Sequence, residues 1–204
     1  MNSRIYPFIN HLRKRWFLYV VWLVVAIFVC GWAFTLITRP KANEKTVIFI
    51  ACYGGDMDGL KNELNGNRPQ NIKQVEVYYH SPDALYFNTM YNFYGIEQGD
   101  ILILPKSKIY DVDCVALYQP LDLSLVRKHF GQVETYDFEG SAYGIKIFDG
   151  LTLSGGSDGY VNYYNGTEAE NFYLFFNKNS LHTGEFSDSS SQSAVELAKF
   201  LMTL

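Results

Sequence analysis

The sequence predicts an α/β protein: a single lobe with a mixed, mostly parallel sheet flanked by helices, preceded by one transmembrane helix. Three observations predict it. Residues 16–38 carry no charge. Three apolar strand-like runs alternate with helical patterns in under 60 residues (46–104), the pattern of a parallel sheet with crossovers. An unbroken apolar run, Phe172 to Phe176, returns late in the chain and stops at a polar Asn-Lys-Asn-Ser.

The first 15 residues are expected to be cytoplasmic, with the span at 16–38, a linker at 39–45 and an extracytoplasmic lobe at 46–204. WFLYVVWLVVAIFVCGWAFTLIT is long enough to cross a hydrocarbon core of about 30 Å as a helix. Trp16, Tyr19 and Trp32 lie towards its ends, where amphipathic rings prefer the interface. The run is too long for a signal-peptide core, and no small-x-small cleavage site follows it. Cys30 follows the bulky pair Phe28-Val29, unlike a lipoprotein cleavage box, and reads as a membrane residue. Arg4, Arg13, Lys14 and Arg15 precede the span, while Arg39, Lys41 and Lys45 follow it beside Glu44. That bias places the N-terminus inside the cell membrane and the lobe outside. The bilayer is thus one expected partner.

Residues 1–41 hold six Lys/Arg and no acid, which leaves 11 basic and 21 acidic residues in 42–204. A lobe that acidic repels polyanions, which excludes nucleic acid as a partner.

Thr46 to Ala51 is apolar without alternation, as in a strand covered on both faces. Gly54-Gly55 turns the chain, and Asp56 or Asp58 caps a short helix carrying Leu60 and Leu64 at i, i+4. Gln74 to Tyr79 reads as a second strand. Ser81-Pro82-Asp83 is a helix start, with Ala84, Phe87, Met90, Tyr91 and Tyr94 following and Gly95 as the stop. Asp100 to Leu104 is a third strand ended by Pro105, and right-handed crossovers put it beside the first. Asp122 or Ser124 opens a helix through Val126 and Phe130 to Gly131. Tyr143 to Phe148 is a strand, residues 150–170 a Gly/Ser/Asn-rich loop, and Ala194, Leu197, Ala198 and Leu201 share one face of a final helix.

Taken in order, four segments resemble the type II periplasmic binding proteins, the solute-binding proteins of bacterial uptake transporters. GDILILPKSKI (99–109) resembles their third strand and its loop, and YQPLD (118–122) a target-facing segment. EGSAYGIKIF (139–148) is similar to a YGxPx strand, with Ile145-Lys146-Ile147 in place of the Pro-containing end. FYLFFNKNSLHTG (172–184) resembles the aromatic strand that ends in Asn-Lys at the hinge between lobes. The resemblance implies a binding function, with a transporter subunit or other membrane protein as partner. The chain beyond the span is long enough for one lobe, so the last strand is expected to stay in the sheet, antiparallel to the first, with the C-terminal helix docked back upon it. Small-solute (sugar or peptide) binding by the lobe is the alternative, and an uncharacterised hydrolase a further one.

The ligand-binding candidates sit just beyond the ends of the three parallel strands, where α/β sheets place their sites. They are Tyr53, Asp56, His80, Lys106 and Tyr110. Cys52 and Cys114 form a disulfide if they sit on adjacent strand ends, with Cα atoms within about 7 Å. Unlinked thiols, or a metal site with His80 and Asp111 or Asp113, are the other readings, although the spacing fits no compact zinc pattern. Gly155-Gly156-Ser157-Asp158-Gly159 matches the nucleophile-elbow spelling, but YVNYYNGT after it has no helical periodicity, so it reads as a turn. Asp56-Met57-Asp58-Gly59 lacks the calcium-loop glutamate, since Asn67 stands at the twelfth position. Asn165-Gly166-Thr167 is a chance sequon. His129 and His182, without a serine or cysteine partner, read as surface residues. The tyrosine pairs 78–79, 91 with 94, and 163–164 thicken a small core or supply stacking surfaces. With no catalytic residues assigned, no metal and no cofactor, the reading is non-enzymatic.

Overall fold

The computed structural model describes residues 5–151, 154–155, 159–164 and 170–204. It divides into two compact units, Met1–Arg39 and Pro40–Leu204. The first is a helix, α1 (Ile5–Thr38), broken at Arg15, whose φ of −122° is not helical. Within it Lys14–Thr38 is long and apolar enough to cross a membrane.

The second unit is built on a seven-stranded mixed sheet. Its strands are β1 (Lys45–Ala51), β2 (Gln74–His80), β3 (Ile101–Pro105), β4 (Thr135–Phe138), β5 (Ser141–Asp149), β6 (Ser154–Gly155) and β7 (Phe172–Phe176). The order is β2-β1-β3-β7-β5-β4, with β6 pairing β5 outside that path. β2, β1 and β3 run parallel. β7 is antiparallel to β3, and β5 to β7, so β5 points the same way as the parallel three. The first and third strands are neighbours, and β7 lies in their sheet running against them, both as expected.

Helices cover the two faces. Met57, Leu60 and Leu64 of α2 (Met57–Gly66), Val126 of α5 (Leu123–Phe130) and Ala194, Leu197, Ala198 and Leu201 of α6 (Ser193–Leu201) join Ile48, Ile50, Ile101, Leu174 and Phe176 in one core. The other face holds Phe49, Leu102, Tyr173 and Phe175 against Phe87, Tyr91, Cys114 and Tyr118. Both caps read from sequence are used: Asp56 accepts from Gly59 N–H at 2.9 Å and Asp122 from Ser124 N–H at 2.7 Å. The C-terminal helix therefore docks on the sheet. Gly144 lets β5 lie against Phe175, because a Cβ there would stand 2.7 Å from its ring. Gly144→Val is expected to cost about 1–3 kcal/mol by overpacking, read as a drop in the chemical-denaturation midpoint.

Three expectations are corrected. The helix expected from Ser81 to Tyr94 forms only as α3 (Phe87–Met90) and continues as a π-helical turn, Tyr91–Ile96. Residues before it make turns, with Ala84 N–H donating to Ser81 O at 3.0 Å and Phe87 N–H to Ala84 O at 3.0 Å. Gly95, within the π-helical turn, lies close to the sheet: a Cβ there would meet Leu102 Cδ2 at 3.1 Å and Tyr91 at 3.2 Å. Cys52 and Cys114 are free and lie in the cores on opposite faces of the sheet, Cys114 on helix α4 (Asp111–Leu117) rather than at a strand end. The sheet between them rules out the disulfide and a shared metal site. His182 is buried, not a surface residue.

Asn177-Lys178-Asn179-Ser180 acts as a lock rather than an exit from the lobe. Asn177 Nδ2 donates to Ile96 O at 2.8 Å, tying β7 to the π-helical turn, and Lys178 Nζ donates to Val115 O at 3.1 Å near the end of α4. Ser180 Oγ donates to Asp100 Oδ1 at 2.6 Å, while Asp100 Oδ2 accepts from Val47 N–H at 2.8 Å. One buried carboxylate thus joins the starts of β1 and β3 to the turn after β7. His182 Nε2 lies 3.1 Å from Ala42 O, which only an Nε2–H can satisfy, leaving Nδ1 to accept from Ser191 or Ser193 at 3.0 Å when the ring is neutral.

Candidate functional site

Four of the five candidate residues follow β1 or β3 and His80 is the last residue of β2, but they do not converge. After β1, Tyr53 N–H donates to Asn162 O at 2.8 Å and Asn162 N–H to Gly54 O at 2.8 Å, pinning the loop to residues 160–162. Gly55, with φ of 138°, packs so close to the Tyr160 carbonyl that no side chain fits. Tyr53 packs on the first core, and Asp56 is occupied as the α2 cap. His80 stacks on the other face between Phe49 at 6.1 Å and Tyr94 at 6.2 Å, and burial holds its pKa below the ordinary value. After β3, Lys106 is exposed and contributes its N–H to Asn171 O at 2.9 Å. Glu170 accepts from both Ser107 N–H at 2.8 Å and Ser107 Oγ at 2.9 Å.

Of the five, Tyr110 alone lines a hollow of about 320 Å³ shared by Phe87, Tyr91, Lys108 and Asp113, with Asn88 and Asn92 at its side. Lys108 Nζ stands 5.7 Å over the Phe87 ring. Beneath, Tyr91 and Tyr118 share a hydroxyl–hydroxyl bond of 2.5 Å, and burial raises both pKa values. Burial also pushes the Asp113 carboxyl up.

The segments that carry these lining residues also hold exposed apolar side chains. Leu85 (89% exposed) and Tyr86 precede Phe87, while Tyr110 leads into α4, whose Val112 (79%) and Val115 also face solvent. The sequence did not single out this rim, because Leu85, Tyr86, Val112 and Val115 look like ordinary helix positions. The signal was available in DVDCVAL, where only Cys114 is buried and both valines are left outside.

Burial raises the Cys52 thiol, and burial with Asp111 and Asp113 raises Cys114 to about 11, away from the lowered pKa of an activated thiol. Among the described residues no cluster of three His, Cys, Asp or Glu could hold a metal ion. Ser157 of the elbow-like stretch, and the sequon at 165–167, lie outside the described residues.

No family model matches the chain, and no curated relative matches it. Among solved structures, a eukaryotic thiaminase-I bound to the thiamin analogue 3-deazathiamin is similar over 52% of this chain and 32% of its own, at 14% identity and a TM-score of 0.36.

Proposed function

We propose that the chain is a membrane-anchored extracytoplasmic interaction module, resembling one lobe of a bacterial solute-binding protein and serving as an accessory to a transporter or membrane assembly. One observation supports this reading: the apolar rim of Leu85, Tyr86, Tyr110, Val112 and Val115. Exposed apolar side chains on the segments that carry a shallow hollow favour a docking surface over a small-molecule pocket. The acidic lobe and the basic N-terminal flank are consistent with an outward-facing domain. The partner of matching chemistry is a membrane protein presenting an apolar extracytoplasmic face.

A photo-crosslinking residue in place of Tyr110, in the full chain in its own membrane, is expected to form one discrete protein adduct. Leu85→Glu with Val112→Glu should lower that adduct at least about tenfold, since burying two carboxylates costs several kcal/mol. The same probe at Lys61, on the α2 side, should give none. An adduct indifferent to the glutamates, together with a melting temperature raised by free sugars or peptides, would favour the solute-binding alternative.

A further inference from the structure

β2 forms an edge of the sheet, and among the described residues its free side is closed at one residue. Asn65 Oδ1 accepts from Val75 N–H at 2.9 Å while Asn65 Nδ2 donates to Val75 O at 2.9 Å, so one amide side chain imitates a neighbouring strand. His80 O points the opposite way, accepting from Cys52 N–H at 3.1 Å. By the alternation of a strand, Val77 and Tyr79 direct their N–H and C=O groups to the free side. β2 pairs with β1 alone among the described residues, so those four groups face no strand.

We infer that this edge pairs with β2 of a second copy of the chain. An antiparallel pairing about a two-fold axis at Tyr78 sets Val77 opposite Tyr79 of the second copy, and Tyr79 opposite its Val77. Each of these opposed residues exchanges two hydrogen bonds, so four bonds satisfy all eight free groups. The next residue outward, Val75, is already closed by Asn65, which fixes the register. The side chains agree with the same axis. Tyr78, stacked at 4.0 Å on Tyr94, meets its own counterpart as an aromatic cross-strand pair. Glu76, already paired with Lys45 in its own chain, comes opposite His80 of the second copy, so no like charges face each other. Val77 and Tyr79 form a β-branched–aromatic pair twice, covering a tyrosine ring that is 48% exposed in the single chain. Self-complementarity in hydrogen bonds and side-chain type is what an isologous interface requires, and the Asn65 closure at Val75 limits the pairing to this register.

The test uses the full chain in membranes with Cys30→Ser, so that no membrane thiol contributes. Tyr78→Cys places two sulfurs on directly opposed positions, whose Cβ atoms lie about 4.5–5.5 Å apart in an antiparallel pair. Mild oxidation should convert it to a species of twice the chain mass, while Lys61→Cys should give none. Tyr79→Pro removes an edge N–H without touching the β1 ladder and should abolish the cross-link. If that variant loses its near-ultraviolet circular dichroism, Tyr79→Lys, an exposed substitution, should lower the yield at least about tenfold. A Tyr78→Cys cross-link no stronger than that of Lys61→Cys, or one that survives both changes at Tyr79, overturns the inference.

Discussion

Phe175→Asp is expected to leave the lobe unfolded. Phe175 is fully buried in β7, between β3 and β5, with its ring 4.3 Å from that of Tyr118 and 6.1 Å from that of Tyr136. Removing a buried phenylalanine costs about 3–5 kcal/mol through lost transfer energy and the cavity left behind. An aspartate adds several kcal/mol more, because among the described residues no lysine or arginine is buried to receive it. The sum approaches or exceeds the whole stability of an ordinary domain, about 5–15 kcal/mol. Loss of near-ultraviolet circular dichroism and rapid proteolysis of the region beyond residue 40 would register it. A folded variant would mean that β7 is not central to the lobe.

Asp100 carries the second large effect, and its two replacements should behave oppositely. Asp100→Ala orphans the Val47 N–H and the Ser180 hydroxyl, at about 1–3 kcal/mol for each buried group. Asp100→Asn keeps both bonds, since its amide oxygen can accept from Val47 and its NH₂ can donate to Ser180 Oγ. The pH dependence follows from the same geometry. Burial raises the Asp100 pKa, opposed by the bonds from Ser180 and Val47 and by His182 and Lys45. A carboxyl with a raised folded pKa binds its proton more tightly in the native state than in the unfolded chain. Its contribution to stability is present below the unfolded value and is lost as pH rises through the folded one. Denaturant unfolding should therefore show native stability falling with pH over that interval, and Asp100→Asn should flatten that part of the profile.

Much of the fold was legible because its signals are local. The apolar runs of β1, β3 and β7 need no context, and Asp56 and Asp122 cap the helices that their spacing announces. Ser81-Pro82-Asp83 misled because the cap signal is local while the position of the helix is not. Helical turns form instead at Phe87–Met90 and Tyr91–Ile96, the latter with Gly95 close against Leu102 of the sheet. The lock around Asp100 was illegible for a related reason: Ser180 lies 80 residues away, and nothing in the sequence links them before the sheet brings β3 and β7 together. The candidate site was only partly legible. Strand ends could be located, yet Asp56 and His80 are committed to capping and stacking, and the exposed rim owes its character to which faces α3 and α4 leave uncovered.

The most direct test of an outward-facing lobe behind a membrane anchor is the topology of the full chain in intact cells. Epitope tags at the two termini, probed with a membrane-impermeant protease, should separate cleanly. The C-terminal tag should be removed and the N-terminal tag protected, with the lobe still attached to the membrane fraction. A protected C-terminus, or a mature protein free in the medium and beginning near residue 41, would contradict the account.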